Sequence, residues 1–205
     1  MKSSANALRP RARKSLFALA ALSCAVLLAQ YVAARTQTPA PSTQDEFKTT
    51  TVILIRHAEK ADAPAEDPPL NDSGRARAQE LARMLANSNV KAIYTSQFLR
   101  AKETAEPLAK QLGLTYAPMP IRMSPTNPRQ VSEQSIKEIT DKIYERAGDT
   151  TLVIGHSNTV PEVIRLLGGD LVPKIDEKKF DDLFVVTVYG RGKAKVLHMK
   201  YGSSN

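Results

Sequence analysis

Two histidines and two arginines have the types and neighbours to handle a charged group. In "TTTVILIRHAEK", residues 49–60, the apolar run Val52–Ile55 ends without a spacer in Arg56 and His57. In "TTLVIGHSN", residues 150–158, a second apolar run ends in His156. Ligand sites in open α/β sheets form at the carboxyl ends of strands, and both histidines follow strands of that kind. Arg100, in "TSQFLRAKETA", lies early in a helical pattern after a short strand pattern. A transferring phosphoryl group spreads negative charge over its oxygens, and positioned guanidinium groups stabilise it with planar, bidentate donation. His57, His156, Arg56 and Arg100 therefore suit phosphoryl chemistry. His198, between Leu197 and Met199 in the last strand pattern, has no such company and reads as structural.

Metal and thiol chemistry fit less well. A catalytic zinc needs about three protein ligands at suitable spacing. No His-x-x-x-His is present, and the single cysteine, Cys24, lies in an apolar N-terminal run. The expectation is a site without metal or cofactor.

The elements that must position these residues alternate. Thr50–Ile55 is a continuous apolar strand of the kind buried in a parallel sheet. Asn71 is a suitable N-cap for a helix to about Asn87, with Ala78, Leu81, Ala82 and Leu85 facing inward. "KAIYTS" is a short strand, Gln97–Leu112 a helix closed by Gly113, and "LTYAP" another short strand. A Pro-rich stretch, "MPIRMSPTNPR", precedes a helix over Val131–Arg146. "TTLVIG" is a strand and Val160–Leu167 a short helix, with Pro161 in its first turn. "LFVVTVY" and "AKVLHMKY", separated by "GRG", predict a hairpin. The order predicts one three-layer α/β/α domain from residue 49 to 205.

The net charge of +8 is mostly N-terminal. Lys2, Arg9, Arg11, Arg13 and Lys14 precede every acid, and beyond Arg35 there are 23 Lys+Arg against 21 Asp+Glu. With no dense basic stripe, nucleic acid is not an expected partner. The basic start leads into "LFALAALSCAVLLAQYVAA", residues 16–34. Leu16–Ala29 has the length of a signal-peptide apolar core, and Val32-Ala33-Ala34 offers a cleavage site. Uncleaved, the segment could anchor the chain in a membrane with its N-terminus cytoplasmic. Residues 1–34 thus predict an export signal or anchor. Residues 35–48, with two prolines, predict a flexible tether. Both place the domain in the periplasm or on the outer face of the inner membrane.

Four segments together resemble the histidine phosphatase superfamily, also called phosphoglycerate mutase-like. "RHAEK" resembles its Arg-His-Gly/Ala-Glu signature. "LNDSGRARAQELA" resembles Leu-Ser/Thr-x-x-Gly-x-x-Gln-Ala, "SQFLRAKETAEPLA" matches Ser-x-x-x-Arg-Ala-x-x-Thr-Ala, and "VIGHSNTV" matches the second histidine motif. The resemblance implies a mixed, mainly parallel sheet and no metal. It implies His57 as a nucleophile that becomes phosphohistidine, with Arg56, Arg100 and His156 around the phosphoryl oxygens. Many members also carry a glutamate that protonates the leaving oxygen. Residues 113–132 hold no acid, so Glu133 is the first candidate, with Glu59 and Asp62 as others; Glu59 is also a candidate substrate contact. The short insertion resembles the compact branch of the superfamily. The expected activity is an exported phosphatase acting on a small phosphorylated substrate or an envelope phosphate group. The alternatives are a phosphoglycerate mutase-type phosphotransferase and a catalytically silent module that binds a phosphate ligand.

Overall fold

The structure is a computed structural model and describes residues 48–202. The N-terminal segment 1–34, Cys24 and the expected tether up to residue 47 lie outside the described residues. Among the described residues, no helix is long and apolar enough to cross a membrane.

Six strands form one sheet: β1 (Thr50–Arg56), β2 (Val90–Thr95), β3 (Tyr116–Pro118), β4 (Thr150–Gly155), β5 (Asp182–Gly190) and β6 (Lys193–Lys200). Their order is β3-β2-β4-β1-β5-β6. The pairings among β3, β2, β4 and β1 are parallel, and β5 and β6 add antiparallel to β1. Four helices cover the sheet: α1 (Asp72–Leu85), α2 (Leu99–Leu112), α3 (Glu133–Tyr144) and α4 (Thr159–Leu166). This is the expected three-layer α/β/α, phosphoglycerate mutase-like architecture with a mixed, mainly parallel sheet.

The unbroken apolar runs of β1 and β4 follow from burial on both faces. Side chains alternate across a strand, so Ile53 and Ile55 pack with Leu81 and Leu85 of α1 and Ala105 and Leu108 of α2. Val52 and Leu54 point the other way, to Ile136, Ile139 and Ile143 of α3 and Val160, Val163 and Ile164 of α4. β1 and β4 are neighbours, with Arg56 level with Gly155. The chain leaves β1 for a helix on one face and β4 for a helix on the other. That divergence opens a crevice at their carboxyl ends, where His57 and His156 follow in sequence.

Element ends differ from expectation by one or two residues, for identifiable reasons. Asn71 caps α1 as expected, its side chain accepting from the Gly74 N–H at 2.8 Å. α2 begins at Leu99 rather than residue 97. Its first N–H is taken by Asp67, from the loop between β1 and α1, at 2.9 Å, a cap that local sequence does not announce. α3 begins after Ser132, whose hydroxyl accepts from the Ser135 N–H at 3.2 Å, while Val131 forms an isolated bridge to Met123. Gly113 ends α2 at φ 64°, a conformation glycine adopts without Cβ cost.

Candidate active site

The two histidines meet at the crevice. Their ring centroids are 5.1 Å apart in an edge-on arrangement. The backbone N–H of His57 donates to the Gly155 carbonyl at 3.0 Å, tying the residue after β1 to the end of β4. The Ala58 carbonyl lies 2.7 Å from Nδ1 of His57, and Nε of Arg100 lies 3.2 Å from its Nε2. One tautomer satisfies both contacts: Nδ1–H donates to Ala58, and the Nε2 lone pair accepts from Arg100. This leaves a basic nitrogen directed at a guanidinium.

The site's electrostatics favour neutral imidazole. His57 is 3% exposed. Burial pushes its pKa down to about 3, and the charges of Arg56 and Arg100 add to that effect against the Ala58 hydrogen bond. His156 is also pushed down to about 3, by burial first and then by His57, Arg100 and Arg56. Its Nε2 lies 2.8 Å from the buried Ser96 hydroxyl.

Both arginines are held as plates. The Arg56 guanidinium stacks on Phe180 at 4.2 Å, and Arg100 on Phe98 at 4.4 Å. Phe180 lies 6.1 Å from His57, and Phe98 5.5 Å from His156, centroid to centroid. Arg56 is 4% exposed and donates through Nη1 to the carbonyls of Asp176 and Lys179, at 3.0 and 3.1 Å, and through Nη2 to Glu177 at 3.0 Å. Its buried Nε–H has no acceptor. A buried donor left open is costly, and an oxyanion arriving in the crevice is a natural acceptor. Burial lowers the pKa of both arginines from a very high starting value, so both remain cations.

Thr104, fully buried on α2, fastens the turn that carries His57. Its hydroxyl accepts from the Ala58 N–H at 3.0 Å and donates to the Arg100 carbonyl at 2.7 Å. One side chain therefore links the peptide beside His57 to the helix turn that carries Arg100. This gives a physical content to the Arg-Ala-x-x-Thr spacing.

The structure thus brings His57, Arg56, Arg100 and His156 together. The three candidate acids have their own surroundings. Glu133 is exposed and lines a surface groove with Lys137, Asp141, Tyr144 and Arg191. It makes no hydrogen bond or ion pair with the histidines or their arginines. Glu59 is buried, gripped by Arg77 through Nε and Nη2 at 2.8 to 3.0 Å; Arg77 also donates to the Tyr201 carbonyl at 3.1 Å. It braces α1 and the C-terminal end of the described chain, and its charge also acts on Arg56. Asp62 is exposed in the loop after β1. The carboxylates nearest the two arginines are instead Glu177, and Asp67 at 3.9 Å from Arg100. Glu177 and Phe180 lie between α4 and β5, a stretch without periodicity, and no local signal marks them. Ser96 and Thr104 lay inside a motif whose spacing did not reveal their partners. His198 is away from the crevice, stacked on Phe184 at 4.5 Å and paired with Asp182 at 2.6 Å.

Among the described residues, no group of three or more His, Cys, Asp or Glu is placed to hold a metal ion.

The fold is similar to that of histidine phosphatases. Residues 52–124 match the model of the histidine phosphatase superfamily (branch 1), which bears out the resemblance read from the motifs. Among solved structures, the chain is similar to the protein histidine phosphatase SixA complexed with tungstate. That match has 20% identity and a TM-score of 0.58, covering 73% of this chain and 96% of that one. Phosphoglycerate mutase from Bacillus anthracis str. Sterne gives 18% identity and a TM-score of 0.58, over 75% and 94%. A phosphoserine phosphatase mutant from Entamoeba histolytica in complex with phosphoserine gives 14% and 0.52, over 75% and 97%. At such identities the likeness establishes the fold. No curated protein matches the chain.

Proposed function

We propose that this protein is an exported, metal-independent phosphatase that works through a phosphohistidine on His57. The observation that carries this is the state of His57: neutral, desolvated, its Nδ1–H fixed, and its Nε2 lone pair facing Arg100 beside Arg56 and His156. A nucleophilic imidazole must be unprotonated, and this environment keeps it so over the physiological range.

In the first step Nε2 attacks phosphorus, a P–N bond forms, and the P–O bond to the leaving group breaks. Arg56, Arg100 and His156 hold the phosphoryl oxygens as charge develops. The leaving oxygen departs as an oxyanion and takes its proton from water. In the second step water attacks phosphorus and the P–N bond breaks, which frees phosphate and restores His57. Two moderate barriers replace one high one. Support from similar folds is consistent, since one is complexed with tungstate, a tetrahedral oxyanion, and another with phosphoserine. The substrate proposed is a small phosphorylated molecule or a phosphate group of the cell envelope. Residues 1–34 would direct export or anchor the chain, 35–48 would tether the domain, and 49–205 would catalyse, in the periplasm or on the outer face of the inner membrane.

The test is a single turnover. Brief exposure to labelled substrate gives an acid-labile, base-stable phosphoprotein in wild type, and none in His57→Ala, which also loses nearly all hydrolysis. Full activity in His57→Ala excludes the mechanism. Tight substrate binding by wild type with no phosphoprotein and no product marks a silent binding module instead.

A further inference from the structure

Arg56 is only half available to a ligand. A guanidinium grips an oxyanion best through two adjacent N–H groups. Both hydrogens of Nη1 are committed to backbone carbonyls, those of Asp176 and Lys179. The fork that remains is Nε with Nη2. Nε–H is buried and has no acceptor, whereas Nη2 already gives one of its two hydrogens to the Glu177 carboxylate at 3.0 Å. An entering phosphoryl group that uses this fork meets an anion on one of its arms.

Glu177 is placed to leave and to return. Its other oxygen accepts from the hydroxyl of Ser157, the residue after His156, at 2.7 Å, and lies 3.2 Å from the Lys174 ammonium. Burial alone would raise its pKa, but the bonds from Ser157 and Lys174 and the charge of Arg56 hold it low, so it is an anion. The side chain is nevertheless 62% exposed. The segment that carries it is fastened separately, by buried Ile175, whose N–H donates to the Ser157 carbonyl at 3.1 Å, and by Phe180 under Arg56. The carboxylate can therefore swing away without unseating the backbone carbonyls that hold Nη1.

We infer that Glu177 is a built-in competitor for Arg56, which weakens the hold of the pocket on phosphate and resumes its ion pair as phosphate departs. Two anions on one fork repel, so the ligand's gain at Arg56 is reduced by the bridge it displaces. The benefit is release: without a competitor, two guanidinium plates in a desolvated crevice would retain the phosphate product. A purely supportive Glu177, holding Arg56 in place, predicts the opposite sign. The inference rests on the phosphoryl pocket proposed above.

The experiment measures binding of inorganic phosphate to the full chain by calorimetry, together with its inhibition of aryl phosphate hydrolysis. Wild type is compared with Glu177→Gln, which keeps an oxygen to accept from Ser157 while removing the charge. Removal of one competing charge next to the fork is expected to tighten phosphate binding by about tenfold, less at high salt. In an Arg56→Ala background the same change should have little effect. Equal or weaker binding in Glu177→Gln overturns the inference and makes Glu177 a support. So does unchanged phosphate affinity with a rate loss confined to poor leaving groups, which would make it a proton donor. If neither protein binds phosphate, the pocket itself is wrong and the inference falls with it.

Discussion

Nε2 of His57 and the Arg100 guanidinium meet through one atom, Nε of Arg100. Lysine cannot reproduce that contact: its ammonium is a point charge on a flexible stem, and it does not stack flat on Phe98. Arg100→Lys should therefore keep the charge and lose activity. A charge-assisted hydrogen bond contributes roughly 1.5–3 kcal/mol, equivalent to a fall of about tenfold or more in kcat/KM. A fall of less than about twofold would show that the planar fork is not used. The same scale governs proton balance. With His57 and His156 both held near a pKa of about 3, neither should titrate near neutrality in the free protein. Their ring resonances should stay fixed from pH 8 to 5, and a midpoint between 6 and 7 for either ring would contradict the description of the site.

Thr104 is the joint at which elements act on the site. α2 is packed by Ala101, Ala105 and Leu108, but its rotation and depth relative to the turn after β1 are fixed by the Thr104 hydroxyl. Thr104→Val keeps the shape and removes both bonds. It leaves the buried Ala58 N–H unsatisfied, at a cost of about 1–3 kcal/mol. The melting temperature should fall by several degrees, and kcat should fall with it because His57 and Arg100 lose their mutual register. Thr104→Ser should recover most of both. A Thr104→Val protein with native stability and activity would show that packing alone sets the register. The elements were largely legible in sequence because apolar periodicity reports burial directly. β1 and β4 were clear because they are buried on both faces. The start of α2 was less clear because its cap comes from Asp67, 32 residues away.

Across the whole molecule, two desolvated histidines make stability depend on pH. Their folded pKa values are depressed below the ordinary 6.5. Above that value both are neutral whether the chain is folded or not, and stability is unaffected. As pH falls from about 6.5 toward 3, the unfolded chain binds protons the folded one refuses. Each histidine then removes up to about 1.4 kcal/mol of stability per pH unit. Wild type should melt markedly lower at pH 5 than at pH 7. A His57→Ala/His156→Ala protein should show a smaller drop over that interval, and an equal drop would place the acid sensitivity elsewhere. On the same scale lies localisation. A reporter that is active only outside the cytoplasm should work when fused after Lys48, and a native protein found only in the cytoplasm would refute export.

The sequence by itself determined the order of elements, the two buried strands with Arg56 and the two histidines at their ends, and Arg100 early in a helix. Burial writes a regular apolar pattern, and phosphoryl chemistry demands few residue types. Tertiary structure alone decided their company. Glu59, two residues after His57 in sequence, is drawn off into a buried pair with Arg77. Glu177, 120 residues from His57 along the chain, comes to lie on Arg56. Glu133 sits at the start of α3 as the apolar spacing suggested, in a surface groove that the histidines do not line. A carboxylate's partner depends on which surfaces the fold brings within hydrogen-bond reach. That distance is set by the chain leaving the neighbouring strands β1 and β4 for helices on opposite faces of the sheet, a relation between segments that no local stretch of sequence contains.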